Sequence, residues 1–245
     1  MSTTDPTAEA LSGLVNLRDL GGLPAEDGVL TRSGVLYRSD APYAGDRDPE
    51  DVDQWPPELV IDLRDTAELH GQDHPLTEAC SVRHMPVLED IREEQEEDDG
   101  SPDALTGLYQ HILKRAEPML VEVFRAALHA GGPVLLHCAA GKDRTGVSVA
   151  LLLSAAGVRR DAIIADYVRT DRNMYRVLQR LNAAPELPPG VDEEKVNELI
   201  SAPTSAIESV VQHFDAYSDG GAGWLRERGV TDEEIEQWRE RLLDR

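Results

Sequence analysis

The sequence is poor in cysteine, in apolar runs and in lysine, and each shortage excludes a class of protein. Its 245 residues include two cysteines, Cys80 and Cys138, which are too few for a disulfide framework and indicate a reducing compartment. No apolar run approaches the roughly 20 residues that a membrane-spanning helix requires. The polar start, residues 1–10, has no cationic segment, so we expect no signal peptide and a cytoplasmic location, with leaderless export left open.

Positive charge is scarce as well. The chain has 24 lysines and arginines against 47 aspartates and glutamates, which gives a net charge of −23. Such a field repels nucleic acid and anionic membrane surfaces, so neither is expected as a partner. It also repels phosphorylated molecules, so a phosphate site in this chain would need its own local positive charge. The oligomeric state is left open.

Strand-like and helix-like segments alternate in the centre of the chain, and helices follow. Short apolar runs next to turn residues predict strands at 34–40, 59–64, 81–87 and 134–137. Apolar stripes at helical spacing predict helices at 105–130, 145–156, 161–168, 201–216 and 231–243. This order predicts an α/β fold with a central, mostly parallel sheet flanked by helices and a helical C-terminal part.

The expected domain organisation is simple. A disordered tail over residues 1–12 precedes a single domain over residues 13–245. The stretch 89–103 opens with a dense acidic run, which predicts a solvated, mobile loop. Residues 185–245, which begin in a proline-rich joint, form the predicted helical C-terminal part.

The most informative stretch is PVLLHCAAGKDRTG, residues 133–146. It places Cys138 between a strand and a helix, with Arg144 six residues further on. The backbone N–H groups of such a loop and of the first helical turn can converge on one anion. Small residues within the loop let an anion approach the backbone, and the planar fork of Arg144 can bind two phosphate oxygens. The pattern therefore predicts a phosphate site with a thiol at its floor.

The same positive groups favour the thiolate form of Cys138, which can attack phosphorus and form a phosphocysteine. Thr145 is expected to donate its hydroxyl to the sulfur, and His137 is expected to orient the loop rather than act as a base. The catalytic pair is thus Cys138 with Arg144. The predicted phosphate-binding residues are Ala139, Ala140, Gly141, Lys142, Asp143, Arg144 and Thr145.

The charged residues of the loop have two readings each. Lys142 either adds positive charge at the mouth, where it could bind a second phosphate, or pairs at the surface with Asp143. Asp143 should weaken phosphate binding, so it is expected to point away and brace the loop, with a direct chemical role as the alternative. Cys80 is expected to be a core thiol, with a regulatory disulfide to Cys138 as the alternative.

Four charged residues outside the loop, Arg18, Asp19, Asp62 and Arg64, are expected to form an internal set of ion pairs or hydrogen bonds that supports it. No group of His, Cys and carboxylate residues has the sequence spacing of a metal site, so neither a metal nor another cofactor is expected.

The segment HCAAGKDRTG resembles the signature of the protein tyrosine phosphatase superfamily, and within it the bacterial tyrosine/lipid phosphatases with a Lys-Asp pair before the arginine. Other stretches are similar to landmarks of that family: NLRDLGG at 16–22, YRS at 37–39, IDLR at 61–64, IADY at 164–167 and GGAGWL at 220–225. The resemblance implies a phosphatase of that fold acting on phosphotyrosine, with phosphoserine, phosphothreonine or phosphoinositides as further substrates. It also implies that no metal is needed.

The residue that protonates the leaving oxygen is the least determined. A carboxylic acid on a movable loop can supply the proton. Asp90 follows a segment that resembles the one in which the family carries its proposed acid, and it is the predicted general acid. Glu89, Asp65 and Asp143 are the alternatives.

Two other functions compete with hydrolysis. A rhodanese-like sulfurtransferase also places a cysteine between a strand and a helix, but the Arg144-Thr145 ending fits phosphate transfer better. A phosphatase-like module that binds phosphoproteins without turnover is the other alternative, and it would be favoured by a missing acid.

Overall fold

A computed structural model describes residues 11–26, 28–88, 104–184 and 204–245 of the chain. The predicted acidic loop at 89–103, Asp90, Glu89 and most of the predicted tail and proline-rich joint lie outside these residues. At the end of the predicted tail, the carbonyls of Leu11 and Ser12 accept hydrogen bonds from Arg180 and from the amide of Arg47, respectively.

Five strands form one sheet in the order β1-β2-β5-β3-β4. The strands are β1 (Arg18–Asp19), β2 (Leu36–Ser39), β3 (Leu59–Asp62), β4 (Ser81–His84) and β5 (Val134–His137). All neighbours are parallel except β1, which runs antiparallel to β2. β2, β3 and β5 are buried along their whole length, as near-continuous apolar runs in parallel sheets are. The predicted α/β fold with a mostly parallel sheet is confirmed.

The helices are α1 (Ala104–Arg115), α2 (Glu117–Leu128), α3 (Asp143–Ala155), α4 (Arg160–Arg169), α5 (Met174–Arg180), α6 (Ser205–Asp215), α7 (Gly220–Arg226) and α8 (Asp232–Leu242). The prediction of one continuous helix at 105–130 is wrong, because the structure has two helices there. The segment is divided at Ala116, because Pro118 stands in the first turn of the second helix, where its missing N–H does no harm. No described helix has both the length and the apolar content to cross a bilayer.

Helix α3 lies at the centre of the core and is buried on nearly all sides. The C-terminal helices α6, α7 and α8 pack on it, and the Trp238 indole donates a hydrogen bond to the Leu152 carbonyl at 2.8 Å. The packing holds the first turn of α3 against the end of β5. Because β5 is the middle strand, the residues after β2, β3 and β5 meet at one edge of the sheet: Ser39 and Asp62 are both paired with His137.

Candidate active site

Residues 138–142 form a tight loop between β5 and α3, and each of its carbonyl oxygens accepts a hydrogen bond, three of them from distant parts of the chain. The donors to these five carbonyls, in order, are His137 Nδ1, the Ala41 amide, Asn16 Nδ2, Arg38 Nη2 and the Gly146 amide, at 2.7–3.2 Å. A peptide unit that points its carbonyl outward points its N–H the other way. No described residue accepts a hydrogen bond from the amides of residues 139–144. The loop is thus a set of converging donors, which is the structure an anion requires.

Gly141 is the one loop position where only glycine fits. Its φ is +68°, and a Cβ there would collide with the carbonyl of Ser39 at the end of β2. The loop can therefore pack directly against the neighbouring strand and present its backbone on the other side. The sequence predicted that small residues let an anion approach the backbone of the loop. Gly141 is also needed for the close contact with β2, which the sequence did not indicate.

Buried charged residues support the loop from below. Asp166 on α4 binds Arg18 at 2.6 Å and Arg38 at 2.7 Å, and these arginines hold its pKa below the ordinary value although burial alone would raise it. Arg38 donates to the Gly141 carbonyl, and Arg18 donates to the side-chain oxygen of Asn16 at 2.8 Å. The whole arrangement is nearly inaccessible to water.

The predicted set of Arg18, Asp19, Asp62 and Arg64 is therefore wrong as a single network. Arg18 pairs with Asp166, while Asp19 accepts hydrogen bonds from the amides of Gly21 and Gly34 in the adjoining turns. Asp62 and Arg64 form a separate buried pair, joined by bonds of 2.6–3.2 Å. Burial disfavours ionisation of Asp62, but His137 and Arg64 lower its pKa to about 2. The reason for the error is that Asp166 lies more than 100 residues further along the chain.

Arg144, in the first turn of α3, is oriented by a carboxylate that sequence reasoning missed. Both oxygens of Glu68 bind its terminal nitrogens Nη1 and Nη2, and Asp65 lies 3.4 Å from Nη1. These charges and that of Cys138 raise the pKa of Arg144 against the opposing effect of burial. None of the described residues accepts a hydrogen bond from its Nε, so one flat edge of the guanidinium remains for an anion.

Glu68 had a signal in the sequence. Asp65 is the N-cap of a short 3₁₀ helix, Thr66–Leu69. The Glu68 carboxylate accepts a hydrogen bond from the Asp65 amide at 2.8 Å, as in a capping box. The pattern Asp-x-x-Glu directly after a buried strand is typical of such a box. It places a carboxylate at the carboxyl edge of the sheet, where the loop also lies.

Three further residues of the predicted phosphate site, Asp143, Lys142 and Thr145, have contacts that bear on their expected roles. Asp143 accepts a hydrogen bond from the Tyr109 hydroxyl at 2.7 Å, a contact of the kind that the predicted bracing role requires. Lys142 is buried and lies 3.2 Å from Asp171, so the alternative of a surface pair with Asp143 is wrong. A contribution of Lys142 to binding a second phosphate stays a prediction. No described residue accepts a hydrogen bond from the buried Thr145 hydroxyl, so the predicted bond to the sulfur is absent.

Cys138 itself is 2% exposed and lies at the floor of this loop. The adjoining cavity has a volume of about 660 Å³ and is lined by Ala139 together with Tyr43, Arg64, Glu68 and Arg180. The predicted chemistry requires a substrate to reach an anion-binding loop, and a cavity of this size next to the loop gives it room.

Comparison with known proteins assigns the chain to a family. A sequence model described as the tyrosine phosphatase family matches residues 9–244. The chain belongs to the tyrosine phosphatase family.

Individual relatives match parts of the chain at 30–32% identity. The triple specificity protein phosphatase PtpB of Mycobacterium tuberculosis is 32% identical over 126 residues, 47% of this chain and 46% of that protein. A tyrosine-protein phosphatase of Nostoc commune is 30% identical over 148 residues, 58% of this chain and 50% of that protein. The matched segments thus span about half the length of these two relatives. A protein of Cupriavidus necator is 30% identical over 183 residues, 66% of this chain and 63% of its own length.

The family's general acid stays a prediction in this chain, since Asp90 and Glu89 lie outside the described residues. The structure does show the surroundings of the other two alternatives, Asp143 and Asp65. Asp143 is held by Tyr109, and Asp65 is 3% exposed at the N-terminus of its short helix, beside Arg144. Both carboxylates have positioning partners that keep them where they are.

Two further groups complete the surroundings of the phosphatase loop. Asp62, His74 and His137 offer side-chain atoms that all lie within 4.8 Å of one another, a grouping that no sequence spacing indicated. His74 is 63 residues from His137 in the sequence, which is why no spacing indicated it. Cys80 is a free, half-buried thiol packed against a small apolar cluster, and burial raises its pKa.

Proposed function

We propose that this chain is a cysteine-dependent protein-tyrosine phosphatase that hydrolyses phosphomonoesters through a phosphocysteine intermediate. The observation that carries the proposal is the loop at 138–142, in which every carbonyl accepts a hydrogen bond while no described residue accepts one from the amides of 139–144. Cys138 lies at the floor of that loop and Arg144 keeps a free edge toward it. Membership of the tyrosine phosphatase family supports the same reaction.

The reaction has two balanced steps. The Cys138 thiolate forms a bond to phosphorus while the bond from phosphorus to the ester oxygen breaks, and that oxygen takes a proton from the general acid, for which Asp90 is our candidate. Water then attacks phosphorus and gives a proton to the same acid as the sulfur–phosphorus bond breaks. Arg144 and the loop amides bind the oxygens of the transferring group throughout.

We propose phosphotyrosine in proteins as the main substrate, with activity on phosphoserine, phosphothreonine or phosphoinositides as well. The cavity of about 660 Å³ that meets the loop at Ala139 has the volume to hold an aryl group, and Tyr43, which is 39% exposed, supplies an aromatic ring to its lining. The names of two relatives, a tyrosine-protein phosphatase and a triple specificity phosphatase, support this breadth. A cytoplasmic location stays a prediction.

The test is hydrolysis of p-nitrophenyl phosphate, followed by kinetics on phosphotyrosine and phosphoserine peptides and on phosphoinositides. We expect turnover by the wild type, competitive inhibition by vanadate and phosphate, and no inhibition by EDTA. Cys138→Ser should fold and still bind substrate but lose turnover, because a serine hydroxyl stays protonated at neutral pH. Residual turnover within tenfold of the wild type would disprove the cysteine mechanism.

The two competing functions give different results in the same assays. Transfer of sulfur from thiosulfate to cyanide would indicate a sulfurtransferase. Tight binding of phosphopeptides by the wild type without hydrolysis would indicate a binding module.

A further inference from the structure

Two histidines from distant parts of the chain meet behind the cysteine loop. His74 Nε2 lies 3.0 Å from His137 Nε2. His137 is completely buried, and His74 is half-buried. Two ring nitrogens at this distance form a hydrogen bond only if one carries a proton and the other does not. The groups bound to the far side of each ring decide which one does.

Those far-side partners are backbone groups whose roles are fixed. The Leu76 amide can only donate, and it donates to His74 Nδ1 at 3.2 Å, so the proton of a neutral His74 is on Nε2. The Cys138 carbonyl can only accept, and it lies 3.2 Å from His137 Nδ1, so the proton of a neutral His137 is on Nδ1. The two assignments agree: His74 Nε2–H donates to His137 Nε2.

The electrostatic surroundings keep both rings neutral. Burial is the main cause that lowers the pKa of each histidine to about 4, and Arg64 and Arg144 act in the same direction on His137. Asp62 opposes them, because its Oδ1 lies 3.8 Å from His137 Nε2 and would attract a proton there. His137 Nε2 instead accepts the hydrogen bond from the N–H of His74, so it carries no proton of its own.

The same contacts argue against a metal ion held by Asp62, His74 and His137. Both ring nitrogens of His74 are committed in the hydrogen-bond chain, and Asp62 accepts bonds from the Arg64 amide and guanidinium. The cationic groups that disfavour a proton on His137 disfavour a divalent cation more strongly.

We propose that His74 is a positioning residue for catalysis, which holds His137 in the neutral Nδ1–H tautomer and through it anchors the Cys138 carbonyl. The proposal rests on the proposed phosphatase function. Because the carbonyl and the next N–H of a peptide unit point in opposite directions, anchoring the Cys138 carbonyl turns the Ala139 amide toward the anion. His74 acts only through His137 and does not touch the substrate.

Variants of His74 separate the donated hydrogen bond from the space that the ring fills. His74→Gln keeps an N–H near the position of Nε2, whereas His74→Asn matches Nδ1 instead and His74→Phe removes the donor but keeps a ring. We expect kcat/KM to fall about tenfold in the Phe and Asn variants, the change that loss of one net hydrogen bond produces, and less than threefold in the Gln variant. His213→Phe is the control, because His213 is another half-buried histidine with ring contacts, placed on α6.

The pH profile is the readout that a merely structural residue would not move. With His74→Phe, His137 Nε2 faces the Asp62 carboxylate without a donor and takes up a proton more readily, so we expect the acid limb of kcat/KM to move to higher pH. An unchanged acid limb in the Phe and Asn variants, or a Gln variant as impaired as the Phe variant, would overturn the proposal. Stoichiometric zinc binding by the wild type that is lost in His74→Gln would overturn it in favour of a metal site.

Nitrogen NMR of the histidine rings tests the proposal without any turnover. We expect a proton on Nε2 of His74 and on Nδ1 of His137 in the wild type at pH 7. If these tautomers are found and no phosphate ester is hydrolysed, the proposed function fails while the hydrogen-bond chain stands. If hydrolysis is found with the opposite tautomers, the role of His74 is refuted and the phosphatase function stands.

Discussion

Asn16 gives the sharpest test of how the fold orients the loop. Its completely buried side chain donates to the Ala140 carbonyl at 3.1 Å and, more weakly, to the Gly141 carbonyl at 3.4 Å, and accepts from Arg18 at 2.8 Å. Asn16→Ala removes all three bonds. The Gly141 carbonyl and Arg18 keep other partners, so the main loss is one good bond to Ala140 and one bond to a charged group.

The expected magnitudes follow from these contacts. A neutral hydrogen bond contributes about 1 kcal/mol and a charged one about 1.5–3 kcal/mol, so Asn16→Ala should lower the free energy of unfolding by about 2–3 kcal/mol after compensation by the remaining partners. In a chain of this size that is a decrease in Tm of about 4–10 °C. A freed carbonyl lets the loop amides turn away from the anion, so kcat/KM should fall roughly 10- to 100-fold, since each 1.4 kcal/mol is a factor of ten.

Asn16→Asp is the stronger perturbation with almost the same shape. It replaces the donor by a carboxylate that faces loop carbonyls and adds negative charge under an anion site. At about 7 Å and an effective dielectric constant near 20, one unit charge repels another by about 2 kcal/mol. The loss in kcat/KM should therefore exceed that of Asn16→Ala by at least tenfold.

The assays are urea unfolding and p-nitrophenyl phosphate hydrolysis, with vanadate affinity as a measure of the anion site alone. Asn173→Ala is the control, because the described residues make no hydrogen bond to the Asn173 side chain, and its unfolding energy should change by less than about 0.5 kcal/mol. If Asn16→Ala loses stability but keeps the wild-type kcat/KM and vanadate affinity, the idea that outward-bound carbonyls orient the amides is refuted.

Three further predictions concern the charged groups. Arg144→Lys should lower kcat/KM at least 100-fold in the same hydrolysis assay, because a lysine cannot bind two oxygens through a flat edge while Glu68 holds the other; a tenfold loss or less would show that a point charge suffices. Asp90→Asn should lower kcat by roughly 10²–10⁴ for a poor leaving group and much less for p-nitrophenyl phosphate, and it should flatten the alkaline limb of the pH profile; a wild-type profile would transfer the role to Glu89 or Asp65. Because burial lowers the pKa of His137 to about 4, the unfolded chain binds more protons than the folded one between pH 6.5 and 4, and His137 should contribute a fall of up to about 3 kcal/mol in the free energy of unfolding over that window, with His74 acting in the same direction. Burial raises the pKa of Asp40 to about 6, which acts in the opposite direction below pH 6, so the fall measured by urea titrations should be steeper in Asp40→Asn than in the wild type.

The parts of this site that are local in the chain could be predicted from the residue order alone. A buried strand, a loop of small residues after Cys138 and an apolar helix are each encoded within a few residues, and the spacing to Arg144 follows from them. The capping box of Asp65 and Glu68 was also local and could have been found. For the same reason the parallel strands were predicted to within a few residues, whereas the division of the helix at Ala116 depended on one proline.

The distant groups that hold the loop could be identified only from the three-dimensional packing. Asn16, Arg38 and His74 reach the loop from 60 or more residues away. Asn16 and Arg38 lie in stretches that resemble family landmarks, but the resemblance does not indicate which atoms they contact, and no pattern marks His74. Their partners are largely backbone carbonyls, which every residue possesses and no sequence pattern marks. The burial that makes these bonds strong, and that keeps the histidine rings neutral, exists only once β2, β3 and β5 are aligned and α3 is packed behind them.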